Sequence, residues 1–404
     1  MKYLVLLIDG VADTPVPQLH GKTPLETANK PHIDRLAQSS EIGMVQTVPQ
    51  GLPPGSDVAN LSVLGYDPLK YYTGRSPLEA VSIGVDLKPE DVAFRCNLVT
   101  LSEEPVYSEK TMIDYSSDEI TTDEAAQLIA TLASQLNSET IRFYSGVSYR
   151  HLMVWHNGPV DSRLTPPHDI SDKVIGPYLP SGPGADILLT LMEQSRHILK
   201  DHPINEHRKA RGLRPATSIW LWGQGKKPQI DSFAHKYGLK GATISAVDLI
   251  KGLGICAGLE AIDVPGATGN IHTNFRGKAE AAVEAFRRGK DFIYLHFEAA
   301  DEAGHRGEIE NKVLSIEKID AEVLGPILNE LPRIDPEFRV MILPDHPTPL
   351  GIKTHTADPI PYLIYDSLKN VDSGVSSFDE ASAARTRRFL AEGHLLMDRF
   401  ILNA

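Results

Sequence analysis

The stretch Arg339–Pro361, RVMILPDHPTPLGIKTHTADPIP, constrains this chain more than any other. Its first five residues, Arg339 to Leu343, read as a short buried strand. Pro344 ends that strand, Asp345 and His346 follow, and His355 comes nine residues later. An apolar run that leads into an Asp-His pair puts hard and borderline metal ligands at the carboxyl end of a strand. Open α/β sheets place their chemistry there. Taken alone, the same residues also describe a strand followed by a polar, proline-rich loop.

Other segments repeat the pattern. Tyr3–Ile8 is a continuous apolar run, as expected of a strand covered on both faces, and it stops at Asp9-Gly10. At six residues it is too short for a signal core or a membrane span. Asp291–Phe297 is another strong strand, running into EAADEAGH. Asp301 and His305 there are four residues apart, so one helical turn sets them on one side. Between these, Gly43–Val48 reads as a strand, and the loop PQGLPPGSDVANLSVLGYDP carries Ser56 to the start of a helix. A serine at that point is either an N-cap or a group set among free N–H donors suited to phosphate.

Asp9, Asp301, His305, Asp345, His346 and His355 thus lie at or just past strand ends, and Ser56 adds a seventh donor. Two ions that keep positions open for substrate need about seven protein donors. Mixed carboxylate and imidazole ligands suit Mn²⁺ or Zn²⁺ and suit Ca²⁺ poorly. A two-metal centre with a serine between the ions fits phosphoryl transfer, because the ions activate the hydroxyl and clamp the phosphoryl oxygens.

A chain of 404 residues implies one large or two medium domains. The texture changes at Leu87 and returns to an α/β rhythm at Thr217. In between, Val92–Leu101 reads as a strand carrying Arg95 and Asn97, and Ile141–Tyr144 and His151–Trp155 as two more. The long loop Asn157–Gly184 holds His168. Arg208, Arg211 and Arg214 form a basic run that either meets an anion or faces solvent. Later, a single helix is expected over Glu308–Glu330, and a final one opens near Ser377 with Glu380 at capping-box spacing.

The net charge of -13 argues against nucleic acid or an anionic membrane as the main partner, but not against a small anionic substrate. Two distant cysteines, Cys96 and Cys256, make no metal-type spacing and fit a reducing cytoplasm.

The motifs LLIDG (6–10), GSDVANLSVLGYDP (55–68), TGRSPLEA (73–80), SGVSYRH (145–151), GATGN (266–270), DEAGH (301–305), PDH (344–346) and KTHTADPIP (353–361) carry a resemblance across nearly the whole chain. The chain resembles the cofactor-independent phosphoglycerate mutases of archaeal type, within the alkaline phosphatase superfamily. The resemblance implies an α/β fold: an alkaline-phosphatase-like, mostly parallel sheet sandwiched by helices, with a smaller inserted α+β domain. It places a discontinuous metal-binding domain at 1–87 and 215–404, and a substrate-binding or lid domain at 88–214 that closes over the substrate. Asp9, Ser56, Asp345 and His346 would hold one metal, with Ser56 the nucleophile; Asp301, His305 and His355 would hold the other. The cofactors implied are two divalent ions, Mn²⁺ first, with Zn²⁺, Mg²⁺ or Co²⁺ as alternatives, and no bisphosphoglycerate. In the inserted domain His151, beside Arg150, is the first candidate for proton transfer and His168 the second. Arg75, Arg95, Arg150 and Lys227 are candidate phosphate or carboxylate contacts.

The activity implied is interconversion of 3- and 2-phosphoglycerate through a phosphoserine, with a cytoplasmic location and a monomer or small homo-oligomer. The alternative within the same fold is a homoserine kinase, suggested by PPHDISDK (166–173) and HPIN (202–205). A simple phosphomonoesterase is the third reading.

Overall fold

The computed structural model describes residues 1–403, so the expected outer segment 215–404 ends one residue beyond them. The chain divides into two compact units, Met1–Tyr72 with Gln229–Ala404, and Thr73–Pro228. The strands in chain order are β1 (Lys2–Ile8), β2 (Glu41–Val45), β3 (Asp91–Leu101), β4 (Met112–Asp114), β5 (Ile141–Val147), β6 (Arg150–His156), β7 (Ser218–Lys226), β8 (Gly241–Ile244), β9 (Glu260–Ile262), β10 (Phe292–Phe297), β11 (Phe338–Leu343), β12 (Ile360–Asp366) and β13 (Phe389–Leu390). The boundaries expected after 87 and before 215 fall inside the second unit. The reason is that β7 pairs along β3, and the helix Ser76–Ser82 packs on both strands, so these flanking segments belong with the insert.

The first unit is built on an eight-stranded sheet in the order β13-β2-β12-β11-β1-β10-β8-β9. β1 lies between β10 and β11 and runs parallel to both. β8 and β9 extend the parallel set. β10 and β11 are buried along their whole length, which is why they read as unbroken apolar runs. β12 is antiparallel to both β11 and β2. Its first residue, Ile360, therefore pairs with Val45, the last of β2. The chain thus leaves β1, β2, β10 and β11, and enters β12, at one edge of the sheet.

Two helices differ from expectation. The span expected to be one helix over 308–330 is Ile309–Lys318, then a widened π-helical turn at Ile319–Leu324, then Gly325–Ile334. Pro326 has no N–H to give and its ring crowds the preceding turn, which accounts for the break. The widened turn carries Asp320, whose carboxylate accepts the backbone N–H groups of His32 and Ile33. The last expected helix starts not at Ser377 but as Glu380–Arg385, capped by Asp379 accepting from the Ser382 N–H. Glu380 instead accepts from the Asp13 N–H and the Thr23 hydroxyl.

The second unit holds a five-stranded sheet in the order β4-β3-β6-β5, with β7 also on β3. Phe94, Cys96 and Leu98 share a core with Leu128 and Leu132 of the helix Thr122–Leu136 and with Leu188 and Met192 of the helix Ala185–Leu199. Arg95 and Asn97 alternate to the other face. The basic run is absorbed by carboxylates of its own unit: Arg208 is buried against Glu124, Arg211 meets Glu124 and Arg214 meets Asp114. Among the described residues, no helix is long and apolar enough to cross a membrane.

Candidate functional site

The edge where five strands begin or end in the first unit is where polar side chains collect. Asp9 follows β1 directly, and Asp345 and His346 follow β11 after one proline. The helix Ala299–Arg306 begins just after β10 and presents Asp301 and His305 one turn apart, with His305 Nε2 3.3 Å from Asp301 Oδ2. His355 arrives on the segment that enters β12. β2 leads into the loop before the helix Ser56–Val63.

Two groups of donors converge. Asp9, Asp345 and His346 offer ligand atoms within 4.8 Å of one another, and Asp301, His346 and His355 do the same. His346 belongs to both. His305 Nε2 is 2.9 Å from His355 Nε2, and Ser56 Oγ is 3.1 Å from His346 Nε2. All seven residues expected at a metal centre therefore lie together in one unit. Ser56 is not the cap of its helix: Gly55 occupies that position and Ser56 is the first helical residue, free to point its hydroxyl at His346.

The electrostatics call for added positive charge. Asp9 is buried and its Oδ1 has no hydrogen-bond partner. Burial, then the neighbouring Asp345 and Asp301, push its carboxyl well above the usual carboxylate range. Burial also acts on Asp301, but hydrogen bonds from His305 and His355 outweigh it and hold that carboxyl well below its usual range. The same bond to Asp301 raises His305 to about 9. An orphaned carboxylate oxygen, three buried acids and imidazole nitrogens turned toward one another form a donor set that fits divalent cations.

Residues not singled out from sequence hold this set in place. With Nε2 protonated, His296 donates to Asp9 Oδ2 at 2.8 Å, while its Nδ1 accepts from the Ser245 hydroxyl at 3.1 Å. Burial keeps that ring neutral, its pKa lowered to about 3. The Thr348 hydroxyl donates to Asp301 Oδ1. Lys312 Nζ, fully buried, donates to Asp13 and to the Thr348 carbonyl, pinning the loop between His346 and His355. Gly10 has φ +60°, and a Cβ there would come within 2.4 Å of Asp301 Oδ1 and 2.5 Å of Thr348 Oγ1. Of these, His296 left a readable sign: a histidine inside an otherwise apolar strand.

The expected substrate contacts lie in the second unit, where Arg75, Arg95 and Arg150 gather near Glu79. Arg95 and Trp222 face each other across β3 and β7, with the guanidinium 4.7 Å from the ring centre. Glu79 takes both ends of the Arg95 fork and also meets Arg75 Nε at 3.2 Å. Burial raises the Glu79 carboxyl, but the fields of Arg95, Arg75 and Arg150 outweigh it and keep it charged. His168 packs edge-on to both Trp222 and Tyr115. Arg150 lies over the Tyr149 ring. Lys227 follows the last residue of β7.

His151 is placed differently. It pairs with Cys96, whose side chain is in the core, so it shares the covered face of the sheet. It is 2% exposed, its Nδ1 accepts the Gly146 N–H, and burial lowers its pKa to about 3. His168 is half-exposed and lies within the field of Arg95. Of the two expected candidates, His168 is thus the accessible ring and His151 the buried one.

Comparison with known proteins agrees across the whole chain. The family model described as 2,3-bisphosphoglycerate-independent phosphoglycerate mutase matches residues 37–205. A probable 2,3-bisphosphoglycerate-independent phosphoglycerate mutase of Geobacter sulfurreducens is 49% identical over 401 residues, covering 99% of this chain and 100% of that one. A 2,3-bisphosphoglycerate-independent phosphoglycerate mutase of Methanothrix thermoacetophila is 49% identical, covering 98% of each chain. Among solved structures, the cofactor-independent phosphoglycerate mutase of Thermoplasma acidophilum superposes with a TM-score of 0.69 at 28% identity, covering 100% of both chains. With matches of this identity running from end to end, the chain belongs to the family of 2,3-bisphosphoglycerate-independent phosphoglycerate mutases.

Proposed function

We propose that this protein interconverts 3-phosphoglycerate and 2-phosphoglycerate without added bisphosphoglycerate, with Ser56 carrying the phosphoryl group between the two hydroxyls. The observation that carries the reading is the place of Ser56: first residue of a helix, its hydroxyl 3.1 Å from His346 Nε2, beside two groups of largely buried metal-type donors. Full-length relatives bearing the mutase name support the choice of reaction. The comparisons lend no support to the homoserine kinase alternative.

Asp9, Asp345, His346, Asp301, His305 and His355, with Ser56, are the residues that would hold two divalent ions. Bound there, such ions supply Lewis-acid charge to the phosphoryl oxygens and lower the pKa of the serine hydroxyl. The Ser56 hydroxyl loses its proton and Oγ attacks phosphorus. The Oγ–P bond forms, the P–O3 bond breaks, and the O3 of glycerate takes up a proton. The freed glycerate reorients, its O2 hydroxyl loses its proton and attacks the phosphoserine, the O2–P bond forms as the P–Oγ bond breaks, and Ser56 Oγ takes up a proton. The N–H groups at the start of the Ser56 helix favour the transferring phosphate. Arg75, Arg95 and Arg150 supply the positive charge that a phosphorylated carboxylate needs, and His168 is the candidate proton carrier. Water must be kept from the phosphoserine, or the same machinery hydrolyses it.

The test is a coupled assay on metal-reconstituted protein. 3-Phosphoglycerate with Mn²⁺ yields 2-phosphoglycerate without bisphosphoglycerate, chelation abolishes it, and Ser56→Ala is inactive. Homoserine plus ATP yields nothing. Phosphohomoserine without mutase turnover, or free phosphate as the main product, overturns the proposal.

A further inference from the structure

Beyond the donors themselves, one residue touches both the nucleophile's backbone and a metal-type ligand. Asn60 lies four residues after Ser56 on the same helix and has no exposure to solvent. Its amide nitrogen donates to the Ser56 carbonyl oxygen at 2.9 Å and to Asp345 Oδ2 at 2.8 Å. Its Oδ1 accepts from the Tyr294 hydroxyl at 2.6 Å. Tyr294 is itself fully buried, in the middle of β10. The orientation of the amide follows from its neighbours. Both groups on the nitrogen side are acceptors, so a flipped amide would set its oxygen against two oxygens. The other oxygen of Asp345 is also held, accepting from the backbone N–H of Gly10 at 3.2 Å and of His346 at 2.9 Å.

We propose that Asn60, locked by Tyr294, is a positioning residue that couples Ser56 to Asp345 and so sets the distance between the nucleophile and the metal-holding carboxylates. The proposal rests on the reading of Ser56 as nucleophile given above. A buried amide that only filled its own hydrogen-bonding needs would not have to spend both N–H groups on these two residues. Each partner has another tie: Ser56 is in a helix and Asp345 follows a central strand. Asn60 adds a direct cross-link between them, beside the path through His346 Nε2. Small displacements at a reacting centre are costly, with about 1 Å worth on the order of 100-fold in rate. Groups that orient metal ligands are worth about 10- to 100-fold in metal affinity.

The experiment compares Asn60→Ala and Tyr294→Phe with the parent enzyme. Mn²⁺ binding to the metal-free protein is measured by titration calorimetry, and kcat and KM are measured with saturating Mn²⁺. Asn60→Ala is expected to lower kcat by about 100-fold while KM moves less than about threefold, and to weaken Mn²⁺ binding by about tenfold. Tyr294→Phe keeps the packing and removes only the lock on the amide, so a fall in kcat of about tenfold is expected. Should Asn60→Ala fail to fold, Tyr294→Phe decides alone. Variants that melt earlier but keep the parent's kcat and Mn²⁺ affinity reduce Asn60 to a structural role and overturn the proposal. Ser56→Ala separates the two readings: activity surviving that change sinks the assigned reaction, whereas unchanged Asn60 and Tyr294 variants sink only the coupling.

Discussion

The two polar clusters are built on opposite principles. In the first unit, Asp9, Asp301, Asp345 and His346 are buried, His305 and His355 are partly buried beside them, and each carboxylate accepts from a neighbouring donor. Repulsion among Asp9, Asp345 and Asp301 is left for a cation to offset. In the second unit, arginines surround one partly buried glutamate, Glu79, and Arg95 and Arg150 rest on aromatic rings. The first arrangement gives its carboxylates defined hydrogen-bond partners. The second holds positive charge over a broad, partly solvated surface. Rigid geometry suits bond making, and adaptable charge suits holding a substrate that must turn over between two half-reactions.

The sharpest way to break this comparison is Gly10→Val. The new side chain meets Asp301 and Thr348 at a backbone angle only glycine tolerates well. Activity should fall at least about 100-fold and Mn²⁺ affinity at least about tenfold, while Arg95 and Glu79 remain as they are. Near-normal Mn²⁺ binding by that variant would mean the first site is far less rigid than described. Next in size is the pair of histidines. His168→Ala should cost about 100-fold in kcat. His151→Ala should cost about 1–3 kcal/mol of stability and little activity per folded molecule. An active His168→Ala beside a folded but inactive His151→Ala would return proton transfer to His151.

Arg95→Ala comes third. It should lower kcat/KM by about 10- to 100-fold and leave Mn²⁺ binding unchanged. A loss of metal affinity there would erase the distinction between the two clusters.

The smallest effect expected is on stability alone. Burial raises the Glu380 carboxyl to about 7, against donors from Thr23 and Asp13 that act the other way. The folded chain thus keeps a proton that the unfolded chain has already released. This contribution is present in full below the ordinary glutamate range and is lost as pH rises through about 7, at a cost on the order of 3 kcal/mol. Glu380→Gln should flatten the fall in melting temperature between pH 5 and pH 8 relative to the parent. Parallel pH profiles would show that Glu380 is ionised throughout.

The difference between the clusters also governs what the sequence reveals. Asp9 and the Asp345-His346 pair close apolar runs and Asp301 comes soon after one, so strand ends and candidate ligands announce each other, whereas His355 lies in a polar segment. Thr348 and Tyr294 are silent because a threonine in a loop and a tyrosine in a buried strand are ordinary. Asn60 is silent for the same reason, although it lies at helical spacing from Ser56. In the second unit the faces depend on strand register. A slip of one residue between β3 and β6 would have sent His151 outward and Arg150 inward. Pairing of His151 with Cys96 is a long-range fact that no local pattern states. The domain edges were misplaced for a related reason: Ser76–Ser82 and β7 look like members of the outer α/β rhythm until β3 claims them.

The central position of β1 has a consequence for synthesis. β1 needs β10 and β11 on its two sides, and they are made about 290 and 340 residues later. The inserted unit, whose strands all pair among themselves, is complete long before that. A nascent chain therefore carries Asp9 and Ser56 through most of translation without Asp301 or Asp345 to face them. Ser56 meets these groups only after β10 and β11 have been made, so a chain that stops short of β11 lacks the donors that gather beside it.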